Sequence, residues 1–423
     1  MFSFRTTPIE QQDDLVLSHG KLGLLCNQSA WHADTGEYLF DILKKRGNLK
    51  RIFMPEHGLF AEQQDQVKIA DGKGDLYSRF ADDGTDIVSL YGNTEDSLTA
   101  DISKLTDLDA LIVELQDVGC RYYTYPSTLN NIFKVLKDND INLHVYIIDH
   151  ANPAGRQVEG TMLRAGYRSF IGLEGIVHRH GLTFGELAYY LYNEMNAKFP
   201  LHIISYKAYP YILLPWSIPP SPNFPGLFTP MLYSGQCLWE GTNVSEGRGT
   251  TRPFELFGAP FMKPLVSKGR EYGGWNQKES PLYDKGALVR YMAFIPTFHK
   301  YKDECCYGFQ ILLKPDMQYN ALAHNLRIMR FVHDNCKEFT FRPGRYEAGN
   351  DKTAIELLLG DKDLLDYVKG GNGDVVFDAE TGTARKYLRN TSTAEKVTRF
   401  KRELAVFQEL CKNPIPNVVE VTD

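Results

Sequence analysis

The 423-residue chain predicts an α/β fold: a Rossmann-like parallel sheet in the first half and a smaller α+β unit in the second. Three observations carry this. Nearly continuous apolar runs recur along the first half, as in strands buried on both faces. Segments with helical periodicity separate those runs. Near residue 200 the alternation stops and prolines accumulate.

The elements follow in order. The run "KLGLLCN" at 21–27 reads as a buried strand. The stretch 35–47 reads as a helix, with Leu39, Phe40, Ile42 and Leu43 on one side, a basic last turn and Gly47 as its stop. Strands are expected at 49–54, 86–92, 109–116 and 144–150. Between the last two, 127–139 is a helix with Ser127 as its expected N-cap. A T-x-x-E box, Thr183 and Glu186, opens a further helix at 183–196. Alternating strands and helices with continuous apolar strands imply a parallel sheet covered on both sides.

Beyond it, 209–230 carries too many prolines for a regular element and is expected along the surface between two domains, 1–200 and 201–423. The second half adds a strand at 307–315, helices at 320–336 and 353–360, and a long amphipathic helix at 393–412.

Composition excludes several function classes. With 47 basic and 53 acidic residues and no basic block, nothing offers a nucleic-acid surface. No run approaches the ~18 apolar residues of a membrane span. The opening "MFSFRTTPIEQQDD" has no apolar leader core, so the chain as it stands reads as cytoplasmic, or as periplasmic or secreted if a leader has been removed. Seven scattered cysteines, with no C-x-x-C pair, read as free thiols. His178 and His180 alone make a poor metal site. No G-x-G-x-x-G follows the first strand, and neither a phosphate-binding loop motif nor a G-x-S-x-G elbow is present. The 24 Tyr, 24 Phe and 4 Trp fit aromatic cores or a cleft with flat apolar faces suited to sugar rings.

In a doubly wound sheet, ligands bind beyond the carboxyl ends of the strands. Three such ends are acidic. Strand 49–54 exits into Pro55-Glu56-His57-Gly58. Strand 109–116 carries Glu114 and exits into Asp117 and "GCRYYTY". Strand 144–150 exits into Asp149-His150. A carboxyl group shielded there by aromatic rings would keep its proton nearer neutral pH. Each residue also has a bland alternative: an aspartate at a strand end caps a turn, and Glu114 pairs with Arg121 as a buried acid. In the second half, "LWEGTNVSEGRGTTRPFELFG" at 238–258 is the densest polar stretch and offers Glu240, Glu246, Arg248 and Arg252 among glycines, either as a solvated loop or as a clamp for an acidic group.

The motifs "MPEHGLF", "VELQDVGCRYYTYPSTL", "DHANPAG", "VEGTML", "HGLTFGELA", "PSPNFPGL" and "WEGTNVSEGRGTTRPFELFGAPF" occur in that order. Together, from about residue 20 onward, the chain resembles the exo-acting β-N-acetylmuramidases of glycoside hydrolase family 171, the NamZ-like family, formerly a domain of unknown function. The resemblance implies a Rossmann-like N-terminal domain, a cleft between two domains, and release of N-acetylmuramic acid from non-reducing ends of peptidoglycan fragments. It also implies that Glu56 is the leading catalytic acid. A secretion signal, frequent in that family, is not seen here.

Glycoside hydrolysis usually takes two carboxyl groups, one protonated and one charged. With Glu56 as the acid, Glu114 or Asp117 is the expected second carboxylate, with Glu246 behind them. His57 is expected to orient Glu56. Tyr122, Tyr125, Asp149 and Asn223 are expected around the sugar. Arg121, Arg248 or Arg252 would meet the lactyl carboxylate that distinguishes muramic acid from glucosamine. The expected partner is a MurNAc-GlcNAc saccharide, and this chemistry requires neither metal nor cofactor. Two rivals are a non-catalytic muropeptide- or sugar-binding protein and a nucleotide-dependent enzyme on the same fold.

Overall fold

The structure is a computed structural model. The description covers residues 2–11, 18–64, 84–92, 98–206, 218–315, 319–347 and 350–371, with short pieces at 77, 80, 374–377, 384–387, 405, 409 and 421–422. The helix expected at 393–412, and 209–217 of the proline-rich segment, fall outside the described residues.

The main sheet contains β1 (Phe2–Arg5), β2 (Leu22–Cys26), β5 (Leu49–Met54), β6 (Asp86–Ser89), β7 (Ala110–Glu114), β8 (His144–Ile148) and β11 (Leu201–Ile204). Its spatial order is β1-β11-β8-β7-β2-β5-β6, every pair parallel, and Val421–Thr422 adds a short parallel strand beside β1. Strands β6-β5-β2-β7-β8-β11 reproduce the 3-2-1-4-5-6 order of a dinucleotide-binding fold, with the reversal of winding between β2 and β7.

The apolar runs behave as their composition requires. All five residues of β2 and of β7 are buried. Alternate side chains enter opposite layers. Leu25, Leu111 and Val113 join the layer holding Ile132, Phe133 and Leu187, while Leu22, Leu24, Ala110 and Ile112 join the layer holding Phe40 and Leu43. Those layers belong to the helices Tyr125–Asp138 and Phe184–Glu194 on one face, and Leu39–Lys45 on the other. The Thr183–Glu186 capping box is present.

Two expected boundaries move. The helix expected from 35 begins at Leu39, because β3 (Trp31–His32) and β4 (Glu37–Tyr38) pair around Gly36, whose φ of 69° no helix accepts. The second helix starts at Tyr125, with Thr124 at the N-cap position and Pro126 in its first turn. Ser127 therefore lies inside the helix, and its hydroxyl has no protein partner.

The parallel sheet runs past residue 200, since β11 pairs with both β8 and β1. After it, 218–228 is irregular, and a helix, Thr229–Gln236, begins with Pro230 in its first turn. The second half is α+β: an antiparallel sheet β12-β14-β13 (Leu256–Ala259, Cys306–Leu313, Ala287–Phe294) packs with helices Thr229–Gln236, Ala321–Asn335 and Ala354–Leu359. Trp239 stacks on Phe257 at 4.9 Å in its core. Helices Thr229–Gln236 and Ala321–Asn335 touch at Gly235, where a Cβ would lie 2.1 Å from the Ala321 carbonyl oxygen.

One apolar cluster runs through both halves, joining Tyr122 and Tyr123 to Phe224, Tyr233 and Phe254. A small antiparallel pair, β9 (Glu159–Met162) with β10 (Val177–Arg179), reinforces the junction. Buried Glu159 accepts the Leu322 and Ala323 N–H groups at the start of helix Ala321–Asn335, so a first-half carboxylate caps a second-half helix. No helix among the described residues is long and apolar enough to cross a membrane.

Candidate functional site

Glu56 leaves β5 on a tight turn. Gly58 N–H bonds to the Pro55 carbonyl at 3.3 Å. His57 and Gly58 both lie in the left-handed region, with φ of 72° and 86°. The φ of Gly58 favours glycine, and a Cβ there would also come within 2.4 Å of the Glu62 carboxylate, which would have to swing aside. His57 is fixed twice: its carbonyl accepts Gln63 N–H at 3.1 Å, and its Nδ1–H donates to the Gln63 carbonyl at 2.9 Å. A histidine held at positive φ costs on the order of 1 kcal/mol or more, strain that concentrates at functional sites. The turn places Glu56, 5% exposed, where one carboxyl oxygen accepts the Thr124 hydroxyl at 2.6 Å.

The turn opens on a cavity of about 380 Å³ built from both halves. The first half supplies Glu56, His57, Tyr91, Tyr122, Tyr123, Thr124 and Phe170, and the second supplies Phe224, Tyr233, Glu240, Arg248, Phe254, Tyr346 and Glu347. Aromatic faces with a few converging polar groups are the usual lining of a small-ligand site.

Arg248 is held from two sides. Its Nη2 donates to Glu240 at 2.6 Å, its Nε lies 3.3 Å from a Glu246 oxygen, and its guanidinium sits 5.0 Å from the Phe254 ring centre. Tyr346 donates its hydroxyl to the other Glu240 oxygen at 3.0 Å. Glu347 accepts the Phe170 and Ile171 N–H groups, both at 2.9 Å. Burial raises the Glu347 carboxyl above its ordinary range despite those bonds, and negative charge on Glu56 adds to the rise.

The other residues singled out in the sequence occupy different places. Glu114, fully buried at the end of β7, lies beside Cys26 at the end of β2 and does not line the cavity. Its partners are two imidazoles, His32 at 2.9 Å and His150 at 3.3 Å, rather than Arg121. Burial pushes the Glu114 carboxyl up, but His32 and His150 outweigh it and hold it at about 2. Burial opposes charge on His32, yet Glu114 and Glu10 raise its imidazole to about 10. Asp117 accepts Gly119 N–H at 2.7 Å and pairs with His180 at 3.1 Å, which orders the loop leading to Thr124. Asp149 accepts Gly185 N–H at 2.6 Å and the Thr183 hydroxyl at 3.1 Å, at the start of helix Phe184–Glu194, and burial lifts its carboxyl to about 7.

Arg121 is 1% exposed and donates to the carbonyls of Thr161, Ile176, Leu358 and Leu359 at 2.9–3.2 Å, with His178 Nε2 at 2.9 Å. Tyr122 lines the cavity, its hydroxyl donating to the Ser234 carbonyl. Tyr125 lies behind the Glu56 turn, accepting from Asn27 at 2.8 Å. Asn223 donates to Gln64 at 2.9 Å. Glu246 is sealed among Lys300, His299 and Arg248, whose charges outweigh its burial and hold its carboxyl well below the ordinary range. Arg252 is half-exposed and pairs with Glu255 at 3.2 Å, away from the cavity. Among the described residues, no group of three or more His, Cys, Asp or Glu is arranged to hold a metal ion.

The sequence reading missed Thr124, Tyr346 and Glu347. A signal for Glu347 existed: a glutamate after a tyrosine, closing the irregular stretch "RPGRYE" at 342–347, where binding residues concentrate.

The cluster at Glu114 makes stability depend on pH. His32 has a folded value of about 10 against an ordinary 6.5, so its contribution is complete below pH 6.5 and is lost as pH rises towards 10. Glu114 has about 2 against 4.5, so its contribution is complete above 4.5 and is lost as pH falls towards 2. Urea midpoints between pH 6.5 and 10 are expected to fall less steeply in His32→Asn than in the unaltered protein.

Comparison with known proteins agrees over most of the chain. The family model described as exo-beta-N-acetylmuramidase NamZ, N-terminal, matches residues 22–227, and its C-terminal counterpart matches 231–392. A peptidoglycan beta-N-acetylmuramidase NamZ of Bacillus subtilis is 30% identical over 401 residues, covering 92% of this chain and 87% of that protein. Two crystal structures of DUF1343 family proteins from Bacteroides fragilis share the fold. One has a TM-score of 0.66 at 22% identity, the other 0.62 at 25%, each covering 93% of both chains. With both halves matched in order around one cavity, the chain belongs to the NamZ family of exo-β-N-acetylmuramidases.

Proposed function

We propose that the protein is an exo-acting glycosidase that releases N-acetylmuramic acid from the non-reducing ends of peptidoglycan fragments, in cell-wall turnover. The observation that carries this is Glu56: a buried carboxyl group on a strained turn, hydrogen-bonded by Thr124, facing an aromatic cavity that also holds Arg248 and Glu347. Glu56 delivers the proton to the departing glycosidic oxygen. Glu347 is the second carboxyl group, since it lines the same cavity and is oriented by two backbone N–H groups. Glu114 and Asp117 position the strand ends and the loop that carries Thr124. His57 sets the Glu56 turn.

Of the three candidate arginines, Arg248 lines the cavity, and Glu240, Glu246 and Phe254 fix its plane. It reads the lactyl carboxylate of muramic acid, which glucosamine lacks. Removing one partner of a buried charge pair costs about 2–5 kcal/mol.

The test is chromophore release from 4-nitrophenyl β-N-acetylmuraminide, with the N-acetylglucosaminide as control. The muraminide is expected to turn over and the control not, and Arg248→Met is expected to remove most of that preference. Binding of the muraminide without turnover would instead make this a sugar-binding protein.

A further inference from the structure

A second groove of about 580 Å³ adjoins the cavity, with Phe170, Glu347 and Leu98 lining both. One wall is helix Tyr125–Asp138. Its residues Ser127, Asn130, Asn131, Lys134 and Asp138 line the groove, and their spacing of three, four, seven and eleven places them in one stripe. A polar stripe on a helix normally faces bulk water. Here Ser127 is 1% exposed and Asn130 6%. The Ser127 hydroxyl is buried with no protein partner, although burying an unpaired hydroxyl costs about 1–3 kcal/mol. The fold thus keeps hydroxyl and amide groups along a space that adjoins the Glu56 cavity.

The lining also identifies the chemistry. Lys134 and Arg168 share the lining with Asp138, and Glu347 stands at the junction, so groups of both signs are present and amides and hydroxyls make up much of the rest. Its amides and hydroxyls suit a neutral, hydroxyl-rich molecule, and Phe170 offers a ring at the entrance. We infer that this groove is the leaving-group subsite: it holds the N-acetylhexosamine that follows the terminal muramic acid, and the glycan beyond it. The inference rests on the glycosidase reading above. It places the scissile bond at the junction, where Glu347 borders both spaces.

The experiment compares kcat/KM on two substrates, 4-nitrophenyl β-N-acetylmuraminide and a muramic-terminated tetrasaccharide, for wild type, Asn130→Ala and Lys134→Met. The ratio of tetrasaccharide to nitrophenyl kcat/KM is expected to fall about tenfold in each variant, as for the loss of one hydrogen bond. Thermal midpoints monitor folding, and the ratio is insensitive to a fraction of unfolded enzyme. An unchanged ratio, whether both rates fall together or neither falls, would overturn the subsite. Turnover of neither substrate by wild type would overturn the glycosidase reading itself, and the subsite with it.

Discussion

Replacing Glu56 with glutamine is expected to lower kcat on a muramic-terminated glycan by about 10²–10⁴-fold, the usual contribution of a positioned acid. The substitution keeps the shape of the side chain, and the Thr124 hydroxyl can still donate to the amide oxygen, so the turn and the cavity should survive. The chemistry of the leaving group then separates two roles. A sugar hydroxyl needs a proton as it departs, whereas 4-nitrophenolate leaves with little help. If Glu56 is the acid, Glu56→Gln should spare the nitrophenyl substrate relative to the glycan, and Glu347→Gln should impair both alike. Burial and the Glu56 charge both push Glu347 towards its protonated form, so the same two variants also test the reverse assignment. Equal losses for Glu56→Gln, with nitrophenyl turnover spared in Glu347→Gln, would exchange the assignments. Full activity of Glu56→Gln on the glycan would remove Glu56 from the mechanism.

Arg121→Met is expected to destabilise the protein by on the order of 4 kcal/mol, read from urea unfolding. The guanidinium gathers four carbonyls from three separate stretches: Thr161, Ile176 and the Leu358–Leu359 pair. Methionine fills a similar volume but leaves those acceptors buried without donors. Arg121→Lys should recover part of the loss, since an ammonium reaches fewer acceptors than the five-donor fork. If Arg121 instead contacts substrate, the lysine variant would keep its unfolding midpoint and lose only KM.

These two residues also mark what a sequence can disclose. The place of Glu56 at a strand end was legible because its signals are local: a buried strand, then Pro55, an acid and Gly58. The parallel sheet was legible for the same reason, since β2 and β7 are apolar throughout. The surroundings of Arg121 were not, because its acceptors are backbone atoms 40 to 238 positions away. Glu114 showed a carboxylate at a strand end, but its chief imidazole partner, His32, lies 82 residues earlier. The cavity wall formed by Tyr346 and Glu347 exists only once the second half has packed against the first. Ser127 failed as a cap for a local reason: Tyr125 and Pro126 start the helix earlier, which turns the serine inward.

The Glu114 cluster has a consequence for how such a protein is classified. In folds of this strand order, the crevice between the two central strands ordinarily receives the phosphates of a nucleotide. Here an ionised carboxylate sits at that address with His32 and His150 closed over it, and the strand before it exits as Asn27-Gln28-Ser29 rather than through a glycine-rich loop. The aromatic cavity opens one strand over, beyond β5, against a wall the second half contributes. The crevice is filled by that ion-paired cluster and serves the packing of the strand ends. A classifier reading strand order alone would file this hydrolase among the dehydrogenases.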